Sequence, residues 1–566
     1  MTSRPGLGAL LTRNRFRVLT IVLVVGGLAL AADRTTLFDN AGSEAAAAQA
    51  DRGSGTAHAV APIAAETVAF PLMAKPGQHY LEDAAGRPFL IHGDTAWSLI
   101  AELTREEVEV YLDDRRARGF NTILVSLIEH RFATKAPANA YGDLPFGGQP
   151  FQFLASLANL LPFRSLAPHI TALATQSADY SKPNEDYFRH ADWVLQRAAD
   201  KGILVLLTAS YLGWKGGNQG WYQAMVANGP DRLRQYGEYL GRRYRDFPNI
   251  MWVHGGDYNA PRKDLVRAIA EGITKVDPRV LHTAHTQSGV AAIDYWHGEP
   301  WLRVNTIYSY KLNSTSKPIA AAALEQYAHP DRLPFFLIET AYEYNRGAEA
   351  TEQRLRTQAY QAVLSGAAGQ VFGNNPIWHF DGPGLYPAPV TWEEALNSRG
   401  AQSMTYLRNL LADTPWWRLA PDADHTLLTN GLGAEDERAV AASTPDGSLA
   451  IAYLPSRREI TIDLTRLAGP RVAAQWYDPA DGQFSAVQGS PFPATARRGF
   501  APAPRNSSGF ADWVLILESV PIDFNAGASK AHSPPERHAY AASRRRVHRR
   551  EKRRRRQPSS ILRRSL

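Results

Sequence analysis

Eight short strand-like runs recur between Arg87 and Asn375: RPFLIHGD, FNTILVSLI, ILVLLTA, IMWVHG, VLHTAHT, VNTIYSY, FFLIET and GQVFGN. In the most apolar of them four or five consecutive residues leave no solvated face, as in parallel strands covered on both sides. Amphipathic helical segments lie between several of them, which demands right-handed crossovers. Thr104 caps the first helix, with Glu107 placed to complete a capping box, and Gly119 stops it. Further helices are expected over Asn184–Asp200, Asp231–Tyr244 and Lys263–Val276. Eight strand and helix pairs over about 340 residues predict an α/β fold, a (β/α)8 TIM-type barrel enlarged by insertions over the usual ~250 residues.

Two runs end in acids. NIMWVHGGDYN delivers Asp257 and PFFLIETAYE delivers Glu339. The carboxyl ends of barrel strands share one face, so acids distant in sequence can meet there. Gly255 and Gly256 permit a turn and the close approach of a ligand before Asp257. A charge abutting the run Phe335–Ile338 needs partners or a function, because burying it alone is costly. Glu343 competes with Glu339 but lies further from the strand. Paired carboxylates point to glycoside cleavage, in which one group protonates the leaving oxygen and the other attacks the sugar or activates water.

Aromatic and hydrogen-bonding residues gather at the other strand ends: Asp94 and Trp97, Glu129 and His130, Tyr211 and Trp214, His254, His285, Tyr308, then Asn374 and Trp378. Rings stack on the C–H faces of sugars and polar groups bind their hydroxyls, so these are the expected substrate-binding residues. No metal site is expected, because His254, His285 and His297 lack the HExxH spacing. GQVFGNNP lacks the lysine and Ser/Thr of a phosphate loop. No cofactor is expected.

The formal charge of +7 misleads about the body of the chain. Residues 530–566 hold 14 Lys and Arg against two Glu, and the first 32 residues hold four Arg, which leaves −9 for residues 33–529. An acidic body does not suit nucleic acid. The basic tail, residues 523–566, has too little apolar content to fold and could contact anionic polymers. Arg13, Arg15 and Arg17 precede an apolar run, Val18–Ala32, in the layout of a secretory signal, with an uncleaved anchor as the alternative. Residues 33–66 read as a linker, residues 67–415 as the barrel with an inserted segment at 147–178, and residues 416–522 as a small antiparallel β-sandwich. Cysteine is absent, which removes disulfides and thiolate metal sites.

The stretches FLIHGDTAWSLIAELTREEVEVYLDDRRARGFNTI, IEHRFA, NAYGDLPF, KPNEDYFRHADWVLQRAADKGI, WVHGGDYN, IETAYE and QAYQAVLSGAAGQVFGNNPIW resemble the apiosidase-like glycoside hydrolases, bacterial barrel proteins that often carry a C-terminal collagen-binding domain. The resemblance implies an exported glycosidase with Asp257 as acid/base and Glu339 as nucleophile of a retaining mechanism. Residues 147–178 look extra to the family pattern. The alternative is a non-catalytic envelope or surface protein that holds polysaccharide or a collagen-like protein in the barrel cleft and sandwich.

Overall fold

The structure is a computed structural model that describes residues 68–147, 177–310, 317–345 and 350–520. The expected signal, linker and basic tail, and all of the expected insertion but its ends, lie outside the described residues. Among the described residues no helix is long and apolar enough to cross a membrane.

Eight parallel strands form the expected barrel: β1 (Ile91–Thr95), β2 (Thr122–Ser126), β3 (Leu204–Thr208), β4 (Ile250–Gly255), β5 (Leu281–His285), β6 (Asn305–Tyr308), β7 (Phe335–Glu339) and β8 (Gly369–Phe372). Hydrogen-bonded pairing runs from β5 through β4, β3, β2 and β1 to β8, β7 and β6. The remaining seam, β5 to β6, is nearly closed. There the Thr306 hydroxyl donates to the Ala284 carbonyl at 2.6 Å, and the Arg303 and Val304 N–H groups reach the His282 carbonyl.

Alternation along the strands separates two apolar layers. Ile91, Leu124, Leu206, Met251, Val253, Phe336, Ile338 and Val371 pack together in the lumen. Ile123, Val125, Val205, Ile250, Trp252, Phe335 and Leu337 pack outward against the helices. These helices include α1 (Arg105–Ala117), α2 (Glu185–Asp200), α3 (Tyr222–Tyr244, broken at Gly229–Pro230), α4 (Lys263–Val276), α5 (Ile319–Tyr327), α6 (Glu352–Leu364) and α7 (Arg399–Ala412). The capping box of α1 is present: Glu107 N–H donates to the Thr104 hydroxyl, and Thr104 N–H to Glu107 Oε2 at 2.7 Å.

Beyond α7 the chain forms antiparallel sheets. One of seven strands includes Val440–Ser443, Leu449–Leu454, Arg471–Tyr477 and Trp513–Val520, and one of three comprises Leu428–Asn430, Ile460–Asp463 and Arg497–Phe500. One apolar layer fills the space between these sheets. A second joins Ile451, Tyr453, Val514 and Ile516 of the larger sheet to Leu355, Ala359, Tyr360 and Val363 of α6 and Met404 and Leu407 of α7. Within that interface Arg356 donates to both oxygens of Asp512, Nε at 2.7 Å and Nη2 at 2.9 Å, and both side chains are fully buried. Tyr453 hydroxyl and Asn506 Nδ2 supply further donors to Asp512, so this buried charge pair is well satisfied.

Candidate active site

At the carboxyl end of the barrel, Asp257 and Glu339 face one another across the lumen. Each offers a carboxylate oxygen, and His285 a ring nitrogen, all within 4.8 Å of one another.

Asp257 reaches this position through the glycine pair. Gly255 and Gly256 take φ of 95° and 124°, conformations that favour glycine. A Cβ on Gly256 would overlap the Tyr211 ring, and one on Gly255 would overlap the His285 carbonyl. Asp257 itself has φ 43°, a strained value for a residue with a side chain. Tyr211 hydroxyl donates to Asp257 Oδ2 at 2.7 Å, and Asp257 N–H donates to His285 Nδ1 at 3.3 Å.

Glu339 arrives by a different device. Strict alternation along β7, with Phe336 and Ile338 inward, would turn the next residue toward the helices. The pairing with β6 steps from Leu337 opposite Ile307 to Glu339 opposite Tyr308, so two residues on β7 answer one on β6. This bulge re-aims the carboxylate into the cleft. Because Nδ1 accepts from Asp257, the His285 imidazole carries its proton on Nε2, which donates to Glu339 Oε2 at 2.5 Å. Tyr342 hydroxyl is a second donor to Glu339 and itself accepts from Trp97 Nε1 at 3.0 Å. Glu339 is only 7 % exposed. Burial, then the charge of Asp257, pushes its carboxyl above the ordinary carboxylate value, while His285 and Tyr342 pull it back.

The rings of Trp97 and Tyr308 lie 5.7 and 4.8 Å from that of His285, and Tyr211 lies 5.4 Å from Trp97. Of the residues expected at the site, the fold thus brings together Asp257, Glu339, His285, Trp97 and Tyr308. Trp378 packs in the same apolar layer, edge-on to Phe132. Trp214 stands on the loop after β3, 56 % exposed, with Lys215 Nζ over its ring.

Other residues expected to bind sugar are engaged by the protein itself. Asp94, 0 % exposed, lies out of register with the lumen residues Ile91 and Gly93, and takes Tyr111 hydroxyl at 3.0 Å and Arg115 Nη1 at 3.1 Å from α1. His254 likewise leaves the lumen between Val253 and Gly255 and meets His282, with Nε2 to Nδ1 at 2.8 Å. Glu129 spends one oxygen on the N–H groups of His130, Arg131 and Phe132 and the other on Ser98 hydroxyl. His130 is buried edge-on to Trp221. Asn374 donates to Glu343 Oε2, and Glu343 Oε1 accepts from Gly400 N–H in the first turn of α7. Glu343 is therefore a structural anchor. Sequence reasoning passed over Tyr342 and Tyr310, whose rings stack at 6.1 Å. The signal for Tyr342 was its place three residues after Glu339.

The Asp257, His285 and Glu339 atoms form the one set among the described residues with the donors to hold a metal ion. Within it His285 Nε2 donates to Glu339, while the Asp257 carboxylate takes its donor, Tyr211 hydroxyl, from outside the set.

Residues 75–418 match the sequence profile of the apiosidase-like catalytic domain. The chain belongs to the apiosidase-like family. Residues 421–518 match the profile of the collagen-binding domain described for a collagenase. No curated protein matches the sequence at a significant level. Among solved structures, a glycoside hydrolase is similar at 24 % identity and TM-score 0.64, over 79 % of this chain and 96 % of its own. A family 5 glycoside hydrolase from Bacteroides vulgatus is similar at 23 % identity and TM-score 0.64, over 82 % and 96 %. These likenesses agree with the fold, and the family profile makes this apiosidase-like chain a glycosidase.

Proposed function

We propose that this apiosidase-like protein is an exported glycosidase that cleaves a polysaccharide or oligosaccharide with retention of configuration. The observation that carries the reading is the approach of the Asp257 and Glu339 oxygens to within 4.8 Å. Retaining glycosidases hold their carboxyl groups about 5 to 5.5 Å apart, and inverting ones leave room for water at about 6.5 to 9.5 Å.

The surroundings distinguish the roles. Two donors, His285 Nε2 and Tyr342 hydroxyl, favour Glu339 as an oriented carboxylate, which suits a nucleophile. Asp257 is half-buried and takes one side-chain donor, Tyr211, so its carboxyl can meet leaving group and water. In the first step a Glu339 oxygen bonds the anomeric carbon as the glycosidic C–O bond breaks and Asp257 gives its proton to the leaving oxygen. In the second, Asp257 takes a proton from water, whose oxygen bonds the anomeric carbon and releases Glu339.

Proton NMR of the anomer first released from a cleaved glycoside tests the mechanism. Retention is expected, and first release of the opposite anomer overturns it. Export is supported by the arginines and apolar run of residues 13–32. Terminal sequencing of protein recovered outside the cytoplasm checks it, with cleavage near residue 32 expected. For the C-terminal lobe, burial of its larger sheet against α6 and α7 supports a role in bracing the barrel.

A further inference from the structure

Two tyrosines lie on the inner side at the end of β6: Tyr308 closes the strand and Tyr310 follows two residues on, both packed against the apolar layer of the lumen. We infer that Tyr310, oriented by Asn345, is a specificity-determining residue whose hydroxyl donates to a hydroxyl group of the glycosyl unit bound at Glu339. This assignment rests on the glycosidase reading above and adds a named contact to it.

The phenols around the carboxylate pair are not spent alike. Tyr211 gives its proton to Asp257, and Tyr342 gives its proton to Glu339. Tyr310 does neither. Its oxygen accepts from Asn345 Nδ2 at 2.6 Å, and its own hydrogen has no acceptor among the described residues. With the amide on one side of the phenol oxygen, the O–H is turned to another. Burial, and then the charge of Glu339, holds the phenol well above its ordinary value, so it remains a donor across the neutral range.

Its position decides which part of the substrate it meets. The Tyr310 ring stacks on that of Tyr342 at 6.1 Å and lies edge-on to Tyr308 at 6.2 Å. On this side the cleft is open: the Tyr308 hydroxyl makes no hydrogen bond among the described residues, yet protein atoms do not seal it. The charge of Glu339 acts on Tyr310 more strongly than that of Asp257. Tyr310 therefore stands on the nucleophile's side of the pair, where the glycosyl unit stays after the leaving group departs. Its backbone is pinned as well, N–H donating to the Ser288 hydroxyl at 3.1 Å and the carbonyl accepting from Arg354 Nη2 at 3.3 Å. A donor fixed in this way discriminates, because a sugar lacking the matching hydroxyl forfeits the bond.

Steady-state kinetics with an aryl glycoside that the wild-type chain cleaves, and with its monodeoxy analogues, test the assignment. Tyr310→Phe should lower kcat/KM on the parent glycoside by roughly three- to tenfold, the worth of one neutral hydrogen bond. The wild-type chain should lose a similar factor on one analogue, and on that analogue the variant should lose nothing further. Losses that multiply for every analogue, or full activity of the variant on the parent, overturn it. Asn345→Ala keeps the Tyr310 ring and should show the same pattern more weakly, and it decides the matter if the Phe variant does not fold. Failure of the glycosidase reading looks different, since Asp257→Asn and Glu339→Gln would then cleave the parent undiminished.

Discussion

His285 Nε2 donates to Glu339 Oε2 at 2.5 Å while its Nδ1 accepts the N–H of Asp257, so one imidazole touches both members of the carboxylate pair. It orients Glu339 and fixes the turn that carries Asp257. Replacing it should act on the chemistry as well as on packing.

The acid limb of the kcat/KM profile should lie above the ordinary Glu value of ~4.3, because burial raises Glu339. Activity requires the ionised nucleophile, so it falls as pH drops through that raised value. His285→Phe removes a donor that lowers Glu339, so the limb should move to higher pH. Initial rates across pH for both proteins check the direction. A limb moving down would contradict the role given to His285.

Asp257→Asn and Glu339→Gln should each lower kcat/KM by roughly 10²- to 10⁴-fold on a natural glycoside, the usual contribution of a positioned proton-transfer group and a comparable one for the nucleophile. An aryl glycoside with an acidic phenol as leaving group needs little protonation. With that substrate the Asp257 variant should retain more first-step activity than the Glu339 variant, as a burst of phenol would show. Undiminished activity in both variants would refute the pair.

Gly256→Ala should be nearly inactive, since its Cβ would overlap the Tyr211 ring and the backbone φ is 124°. The strain of an unsuitable backbone region is about 1 to 3 kcal/mol. Denaturant unfolding should show a loss of that size, and kcat should fall with it because Tyr211 and Asp257 are displaced together.

Arg356→Met should cost about 3 to 5 kcal/mol, because it leaves Asp512 buried without its cation. Arg356→Met with Asp512→Leu should recover much of that loss. Since the pair and the shared apolar layer tie α6 to the C-terminal sheet, calorimetry should show barrel and lobe unfolding in one transition. Two transitions separated in temperature would contradict a bracing role for the lobe.

The eight barrel strands were legible because buried parallel strands leave apolar runs, and the helix after β1 was legible from its capping box. The acids were legible as interruptions of two such runs. The facing of each strand residue was not, since an uninterrupted apolar run carries no alternation. Asp94 and His254 looked like cleft residues for this reason, although each stands one position out of register with the lumen and meets the helical layer instead.

Sequence alone determined the barrel, the C-terminal sheets and the two acid-tipped strands, because local patterning and strand burial are properties of neighbouring residues. Only the tertiary structure decided which acids share a cleft. A one-residue bulge turned Glu339 inward, a pair of glycines at positive φ brought Asp257 opposite it, and Glu343, four residues on, was drawn to the start of α7. Those outcomes depend on pairing register and on side chains contributed by distant strands, which no local pattern encodes.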